Sequence, residues 1–121
     1  MTDLSVEDAK IVTLARGARL RAHAPHTGVA EGAAVRDTEG RTYAAATVEN
    51  ANHELTTSAL RAAVAAAASS GVRRLEAAAI VRDVNDGPLA EADLAVLREF
   101  GSGVPVLVAG PDGVVRETLT S

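Results

Sequence analysis

Apolar residues recur at helical spacing along the first part of the chain, between Ser5 and His23. Ser5 is a suitable N-cap, and the acidic residues Glu7 and Asp8 follow it in the first turn, where the helix dipole favours negative charge. Pro25 cannot continue a helix, so the pattern predicts a first helix from about Ser5 to His23. The apolar residues that recur at roughly helical spacing are Ala9, Val12, Leu14, Ala15 and Leu20.

Two further helices are predicted in the second half of the chain. One begins at a cap formed by Thr57 or Ser58, continues through an almost unbroken run of alanines to about Ser70, and ends before Gly71. Because this helix is apolar on most sides, we expect it to be buried on more than one face. The last helix is predicted over 91–100, with an inward face of Ala92, Ala95, Val96 and Phe100.

Five segments have the short, apolar or alternating pattern of strands, namely 32–37, 41–48, 75–81, 104–109 and 114–118. The first two are separated by Thr38-Glu39-Gly40, which has the composition of a hairpin turn. The resulting order is helix, strand, strand, helix, strand, helix, strand, strand. This order predicts one α/β domain over residues 1–121, with three α/β/α layers around a five-stranded mixed sheet.

Composition restricts the possible partners of this 121-residue chain. The net charge of -4 argues against a nucleic-acid surface, which needs clustered basic residues. The absence of cysteine excludes disulfides and thiolate metal ligands, and it fits a reducing compartment. No apolar run reaches the length of a membrane span, and the acidic N-terminus is unlike a signal peptide, so we expect a cytoplasmic protein. A core of small aliphatic residues buries little area, and contacts between copies would add to it.

The segment 41–64, RTYAAATVENANHELTTSALRAAV, carries the most specific motif of the chain. It resembles the cytidine deaminase family, in which a strand ends in N-V-E-N-A and a short loop leads to C-A-E-R at the start of a helix. The upstream segment 23–28, HAPHTG, resembles the A-Y-A-P-Y-S-G segment of that family, with histidine at both tyrosine positions. The resemblance covers nearly the whole chain. It implies the cytidine-deaminase-like fold and the assembly of the small homotetrameric members.

The residues that the family uses for chemistry are replaced in this chain. Zinc deaminases hold the metal with one His or Cys and two further Cys, and a Glu carries the proton. The three ligand positions correspond to Ser58, Leu89 and Ala92, and the proton-shuttle position corresponds to Leu60. A neutral hydroxyl and aliphatic side chains cannot form a tetrahedral site of nitrogen and sulfur ligands. We therefore predict no zinc, no other cofactor and no hydrolysis of cytidine by the family mechanism.

The resemblance also identifies candidate ligand-binding positions. Glu49 corresponds to a Glu that binds the ribose hydroxyls, whereas Thr47 replaces the Asn of the same motif. Val29 replaces the ring that flanks the pyrimidine, and Glu31 introduces a carboxylate nearby. The complete set of candidate residues is Val29, Glu31, Thr47, Glu49, Asn50 and Arg61.

Structural interpretations exist for several of these residues. The pair Glu49-Asn50 can equally form a turn that closes the loop between the strand and the helix. Arg61 corresponds to an Arg that faces the zinc thiolates in the family. Here it can form an ion pair with a carboxylate in the old pocket (Glu49, Glu54 or Glu91) or extend into solvent.

The three histidines and Ser58 offer other possible chemistry. His23 and His26 lie three positions apart around Pro25, but no Cys or carboxylate stands at ligand spacing to complete a metal site. His53 corresponds to a Tyr near a subunit boundary in the family, which favours a role at an interface. Ser58 has no His at a spacing that would make it a nucleophile, and helix capping accounts for it.

Two hypotheses for function follow. The first is a pseudoenzyme without zinc, which assembles as a homo-oligomer, a tetramer before a dimer, and has a binding or scaffolding role for a nucleoside-like small molecule. The alternative is an enzyme with altered, zinc-independent chemistry that uses Glu31, Glu49 and the histidines. An open, polar cavity would favour the enzyme, and a cavity filled by Leu60, Leu89 and Ala92 would favour the pseudoenzyme.

Overall fold

The computed structural model describes residues 4–121. The five strands are β1 (Gly32–Asp37), β2 (Thr42–Ala46), β3 (Leu75–Val81), β4 (Pro105–Ala109) and β5 (Val115–Thr120). The three α-helices are α1 (Val6–Arg19), α2 (Ala59–Ser69) and α3 (Glu91–Arg98). A single 3-10 turn, His53–Leu55, precedes α2.

The strands form one mixed sheet in the order β2-β1-β3-β4-β5, which confirms the predicted five-stranded sheet. The pair β3 and β4 is parallel and is connected through α3, and the other neighbours are antiparallel. The register pairs Gly32 with both Ala46 and Val81, and Val81 with Ala109. The start of β1 and the ends of β2, β3 and β4 therefore meet at one end of the sheet.

Helices cover both faces of the sheet, as the predicted three layers require. Alternate residues along each strand point to opposite faces, so each face has its own apolar cluster. Helix α1 packs Ile11, Val12 and Ala15 against one face. Helices α2 and α3 cover the other face, where Leu60 and Leu97 are fully buried.

The contact between α1 and β1 is close enough to require glycine at position 32. A Cβ atom on Gly32 would lie 2.0 Å from the carbonyl oxygen of Ala15 and 2.5 Å from the backbone nitrogen of Arg19. Because both neighbours are backbone atoms, no side-chain movement could relieve this overlap. The small residue allows the helix to pack directly on the beginning of the strand.

The first helix is shorter than predicted, since it ends at Arg19 and not at His23. The backbone of His23 is instead bonded to the segment after β2. Its N–H donates to the carbonyl oxygen of Thr47 at 2.9 Å, and its carbonyl oxygen accepts from the N–H of Glu49 at 2.7 Å. The apolar residues that recur at helical spacing coincide only in part with the buried face of the helix. The exposed members of that set are Ala9, Leu14 and Leu20. Two residues outside the set, Ile11 and Ala18, are buried.

Helix α3 also differs from its prediction in its end and in its buried face. It ends at Arg98, and Ala92 and Ala95 are exposed, whereas the predicted Val96 and Phe100 are partly buried and pack against the core. The buried positions are Asp93 and Leu97, which stand four residues apart and so lie on one side of the helix. The pattern of apolar residues alone could not identify this face, because one of its two buried residues is charged.

Helix α2 has the predicted cap at Ser58 and ends before Gly71, whose positive φ of 101° suits the residue after a helix. One face is buried in the core. The other face is partly or fully exposed in the single chain and carries small apolar residues such as Ala62, Ala65 and Ala66. Among residues 4–121, no helix is long and apolar enough to cross a membrane.

Candidate functional site

A cavity of about 530 Å³ opens at the end of the sheet where β1 starts and β2 ends. Its lining residues come from three loops, within 26–31, 47–51 and 53–58. Its volume is within the range of small-molecule sites. Five of the six candidate ligand positions line it, namely Val29, Glu31, Thr47, Glu49 and Asn50.

Glu49 is 8% exposed, and its carboxylate is bonded to the chain itself. Its Oε1 accepts from the backbone N–H of His26 at 2.6 Å and of Thr27 at 3.1 Å, and its Oε2 accepts from the Thr27 hydroxyl. The Thr27 hydroxyl is the main cause of a lowered pKa of Glu49, and the two backbone N–H groups lower it further against the effect of burial. Glu49 is therefore an ionised carboxylate that holds the loop before β1.

Glu31 is paired with Arg82, which directly follows β3. Arg82 Nε donates to Glu31 Oε2 at 2.7 Å, and the two side chains are 10% and 12% exposed. The other guanidinium nitrogens donate to the carbonyl oxygens of Asp86 and Gly87. Arg82 thus neutralises Glu31 and attaches the loop after β3 to the start of β1. The sequence carried no signal for this pair, because its members stand 51 positions apart.

Ser58 lies where α2 begins and joins it to α3. Its hydroxyl donates to Asp93 Oδ1 at 2.8 Å, and the Ser58 hydroxyl oxygen accepts from the N–H of Arg61 at 3.3 Å. Asp93 is 6% exposed and lies in the first turn of α3. Leu60, one turn into α2, is 1% exposed and belongs to the core. A hydrogen bond between a serine and a carboxylate therefore connects the two helices beside the cavity.

Comparisons with known proteins agree on the family to which this chain belongs. A family model described as cytidine deaminase-like matches residues 4–113. A cytidine deaminase of Sporosarcina psychrophila is 32% identical over 112 residues, which cover 90% of this chain and 82% of that protein. The chain belongs to the cytidine deaminase-like family.

Solved structures of cytidine deaminases have the same fold. The enzyme of Burkholderia pseudomallei superposes with a TM-score of 0.83 at 29% identity, over 97% of this chain and 93% of that one. The cytidine deaminase of Mycobacterium tuberculosis gives a TM-score of 0.76 at 30% identity, over 89% of this chain and 88% of that one. The resemblance inferred from the VENA segment is confirmed.

The residues at the zinc position of this family do not fit the metal. Ser58 is a neutral hydroxyl that already donates to Asp93, Leu89 is half-buried against the core, and Ala92 is exposed. In the part of the chain that the structure describes, no three His, Asp or Glu residues are grouped as metal ligands. The sequence has no cysteine at all. This donor set offers at most oxygen atoms from Ser58 and Asp93, which is not a zinc site of the family type.

Of the positions that correspond to the zinc ligands and the proton shuttle of the family, only Ser58 lines the cavity. Leu60, Leu89 and Ala92 do not line the cavity, so it is open and not filled by them. Arg61, the sixth candidate, is exposed and also lies outside the lining. Its proposed pocket partner Glu49 is bonded to the loop at 26–27, and Glu91 pairs with Arg98. The pocket ion pair considered for Arg61 is not formed.

Two histidines line the cavity and one does not. His26 and His53 belong to the lining, although the sequence suggested an interface role for His53. His23 instead contributes its backbone to the bridge with the residues after β2. Thr27 and Thr56 also line the cavity, and sequence reasoning missed both. Their positions in loops flanking the VENA segment are the only signal that could have indicated them.

Proposed function

We propose that this protein is a cytidine-deaminase-like pseudoenzyme, which does not perform zinc-dependent hydrolysis and has a binding role based on the open cavity. The observation that carries this proposal is the hydrogen bond from Ser58 to Asp93 at the family's first ligand position. Leu60 is buried at the proton-shuttle position. The chain therefore has neither the ligands for the metal nor the acid-base side chain of the family mechanism. Relatives named cytidine deaminases indicate which activity to assay, namely the deamination of cytidine.

Zinc content and deaminase activity test this proposal directly. The purified protein should contain far less than one zinc per chain by elemental analysis, and cytidine should not be converted to uridine in its presence. A cytidine deaminase of the family, prepared and assayed in parallel, is the positive control for both measurements. Stoichiometric zinc together with uridine formation would overturn the proposal.

The gathering of five candidate positions around one cavity supports binding of a nucleoside-like small molecule. A ligand that binds only the folded state raises the melting temperature. A thermal-shift screen of nucleosides, nucleobases and nucleotides should therefore yield at least one compound that stabilises the protein. The stabilisation should be lost when Val29→Arg obstructs the cavity, whereas Val114→Arg, at another exposed valine, should retain it. A screen without any stabilising compound would count against the binding role.

A second candidate function is supported by a different observation. The cavity is open, and the imidazoles of His26 and His53 share it with the ionised carboxylate of Glu49. The presence of imidazole and carboxylate side chains in one open cavity supports an enzyme with altered, zinc-independent chemistry. Mass spectrometry of the screened compounds after incubation distinguishes the two functions. A product that disappears in the double variant His26→Ala/His53→Ala would favour the enzyme over the pseudoenzyme.

We also propose that the protein forms a closed homo-oligomer, a tetramer before a dimer, through the outer face of α2. This face carries Ala62, Ala65 and Ala66 between the exposed Arg61 and Ser69. Val48 and Leu55, 53% and 63% exposed, lie in the loop that precedes the helix. Small side chains allow two helices to approach closely, and covering the loop would remove exposed apolar area. Light scattering should give the mass of an oligomer. Ala65→Arg should reduce this mass, and Ala9→Arg on the exposed side of α1 is the matched control.

A further inference from the structure

A second cavity, of about 410 Å³, lies along the last two turns of α1 and beside the turn between β4 and β5. Its volume is within the range of small-molecule sites. It shares no lining residue with the cavity described above. Two of its lining residues are arginines, and within residues 4–121 no Asp or Glu belongs to the lining. The lining residues are Thr13, Arg16, Gly17, Arg19, Leu20 and Pro111.

Both arginines of this cavity are held through Nε by backbone carbonyl groups. Arg16 Nε donates to the carbonyl oxygen of Pro111 at 3.0 Å, and Arg19 Nε donates to that of Ala30 at 2.9 Å. A guanidinium has five N–H donors, so four remain on the two terminal nitrogens of each side chain. Within residues 4–121, these terminal nitrogens make no hydrogen bond or ion pair. The edge of each guanidinium that can pair with an oxyanion is therefore unoccupied.

The groups next to the two arginines do not use these charges. Basic residues are favoured in the last turn of a helix, where they complement the dipole and can donate to the last carbonyl groups. In α1, however, the carbonyl oxygens of 17–19 accept from the N–H groups of 20–22. Asp112, in the turn after β4, accepts from Arg116 and from the N–H of Val114. Neither the helix end nor the turn thus supplies a partner for the two guanidinium groups.

We propose that this second cavity binds a phosphate group, either of a small phosphate monoester or as free phosphate, through the terminal nitrogens of Arg16 and Arg19. The two positive charges match the charge of a phosphate close to -2 near neutral pH. Because the Nε contacts already order both side chains, a ligand immobilises little that was free. Leu20, which is 83% exposed, offers an apolar surface to the organic part of an ester. This site is independent of the binding role proposed above.

Isothermal titration calorimetry at low ionic strength tests this proposal, because salt screens exposed charges. Inorganic phosphate and phenyl phosphate are the probes, and we expect saturable binding of one molecule per chain. The probe that binds more tightly identifies the ligand as free phosphate or an ester. Arg16→Gln/Arg19→Gln should weaken binding by roughly tenfold or more, as expected from the loss of one hydrogen bond to a charged group.

A matched double variant controls for the loss of charge. Arg61→Gln/Arg74→Gln removes the same charge from two exposed arginines whose side chains make no hydrogen bond or ion pair within residues 4–121, and it should retain binding. Val29→Arg, which obstructs the other cavity, should retain it as well. Equal weakening by the two double variants would overturn the proposal, because it would indicate attraction by overall charge and not by a site.

Nuclear magnetic resonance of the ¹⁵N-labelled wild-type protein locates the site without any substitution. Titration with inorganic phosphate should shift the Nε–H signals of Arg16 and Arg19 and the backbone N–H signal of Gly17. The backbone signals of 47–51, in the other cavity, should not move. Shifts confined to 47–51, or the absence of saturable binding, would overturn the proposal and leave the function proposed for the other cavity untouched.

Discussion

Ser58 and Asp93 are connected by a hydrogen bond of 2.8 Å between the start of α2 and the first turn of α3. Asp93 stands one position after the place of the family's last zinc ligand, and Ser58 stands at the place of the first. The two helices that the metal site would link are therefore still joined, by a contact that involves no metal. The carboxylate is favoured in this position because it lies at the N-terminus of α3.

We expect Ser58→Ala to destabilise the protein, because it removes the cap of α2 and leaves the buried Asp93 without its donor. The free energy of unfolding should fall by about 2 kcal/mol, as is typical of a lost cap and a lost buried hydrogen bond. Urea unfolding measures this change. Thr57→Ala is the control, because its side chain makes no hydrogen bond in the described part of the chain. Equal effects of the two substitutions would contradict the prediction.

Leu60→Glu should be more damaging. Leu60 is 1% exposed, so a carboxylate there would be desolvated without a partner, at a cost of about 3 kcal/mol. A thermal melt should show a clear decrease in melting temperature, with only a small change in the neighbouring variant Arg61→Glu, whose side chain is exposed. An unchanged melting temperature for Leu60→Glu would mean that the position is hydrated.

Breaking the pair of Glu31 and Arg82 should destabilise the fold asymmetrically. Arg82→Met leaves a buried carboxylate unpaired and frees two loop carbonyl groups, and we expect a loss of about 3–5 kcal/mol. The double variant Glu31→Met/Arg82→Met removes the unpaired charge and should recover part of this loss. A double-mutant cycle of unfolding free energies gives the coupling. Strictly additive effects would show that the pair is not coupled.

The lowered pKa of Glu49 predicts a dependence of stability on acidity. A carboxylate whose pKa is lower in the folded than in the unfolded state stabilises the fold above the unfolded pKa. That stabilisation is lost as the pH falls through the folded pKa. The ordinary pKa of this side chain is 4.5, so the loss should occur below about that pH. Glu49→Gln should flatten this part of the curve of melting temperature against pH.

Asp37 contributes to the same acid window and explains why the flattening should be partial. Burial alone would raise the pKa of Asp37, but hydrogen bonds from the backbone N–H groups of Arg41 and Glu39 lower it overall. Glu117→Gln is the control for the charge change, because the Glu117 side chain is exposed and makes no hydrogen bond or ion pair within residues 4–121. If Glu49→Gln and Glu117→Gln gave the same curve, the role of Glu49 in holding the loop would be refuted.

Restoring the family's ligands should restore metal binding. The triple variant Ser58→Cys/Leu89→Cys/Ala92→Cys supplies three thiolates at the family positions, and we expect close to one zinc per chain by elemental analysis. A control with Ala90→Cys in place of Ala92→Cys has the same composition in the wrong register and should bind less. Equal zinc in both variants would indicate binding without a formed site.

Local sequence patterns determined the elements of this fold well. The segments 32–37 and 75–81 coincide with β1 and β3, and Ser58 caps α2 as expected. These features depend on residues that are neighbours in the chain, namely the alternation along a strand and a side chain that bonds a backbone N–H three positions away. The resemblance carried by the VENA segment also identified candidate positions on both sides of the β1–β2 hairpin, and the fold brings five of them to one end of the sheet.

Only the tertiary structure decided how the polar groups of the site are used. Ser58 and Asp93 are 35 positions apart, and Glu49 reaches back 23 positions to the N–H of His26. Such contacts depend on how helices and loops pack after the chain has folded, and no local pattern specifies them. In the same way, the backbone of His23 bonds to the segment after β2, 24 and 26 positions away, and α1 ends before it, at Arg19.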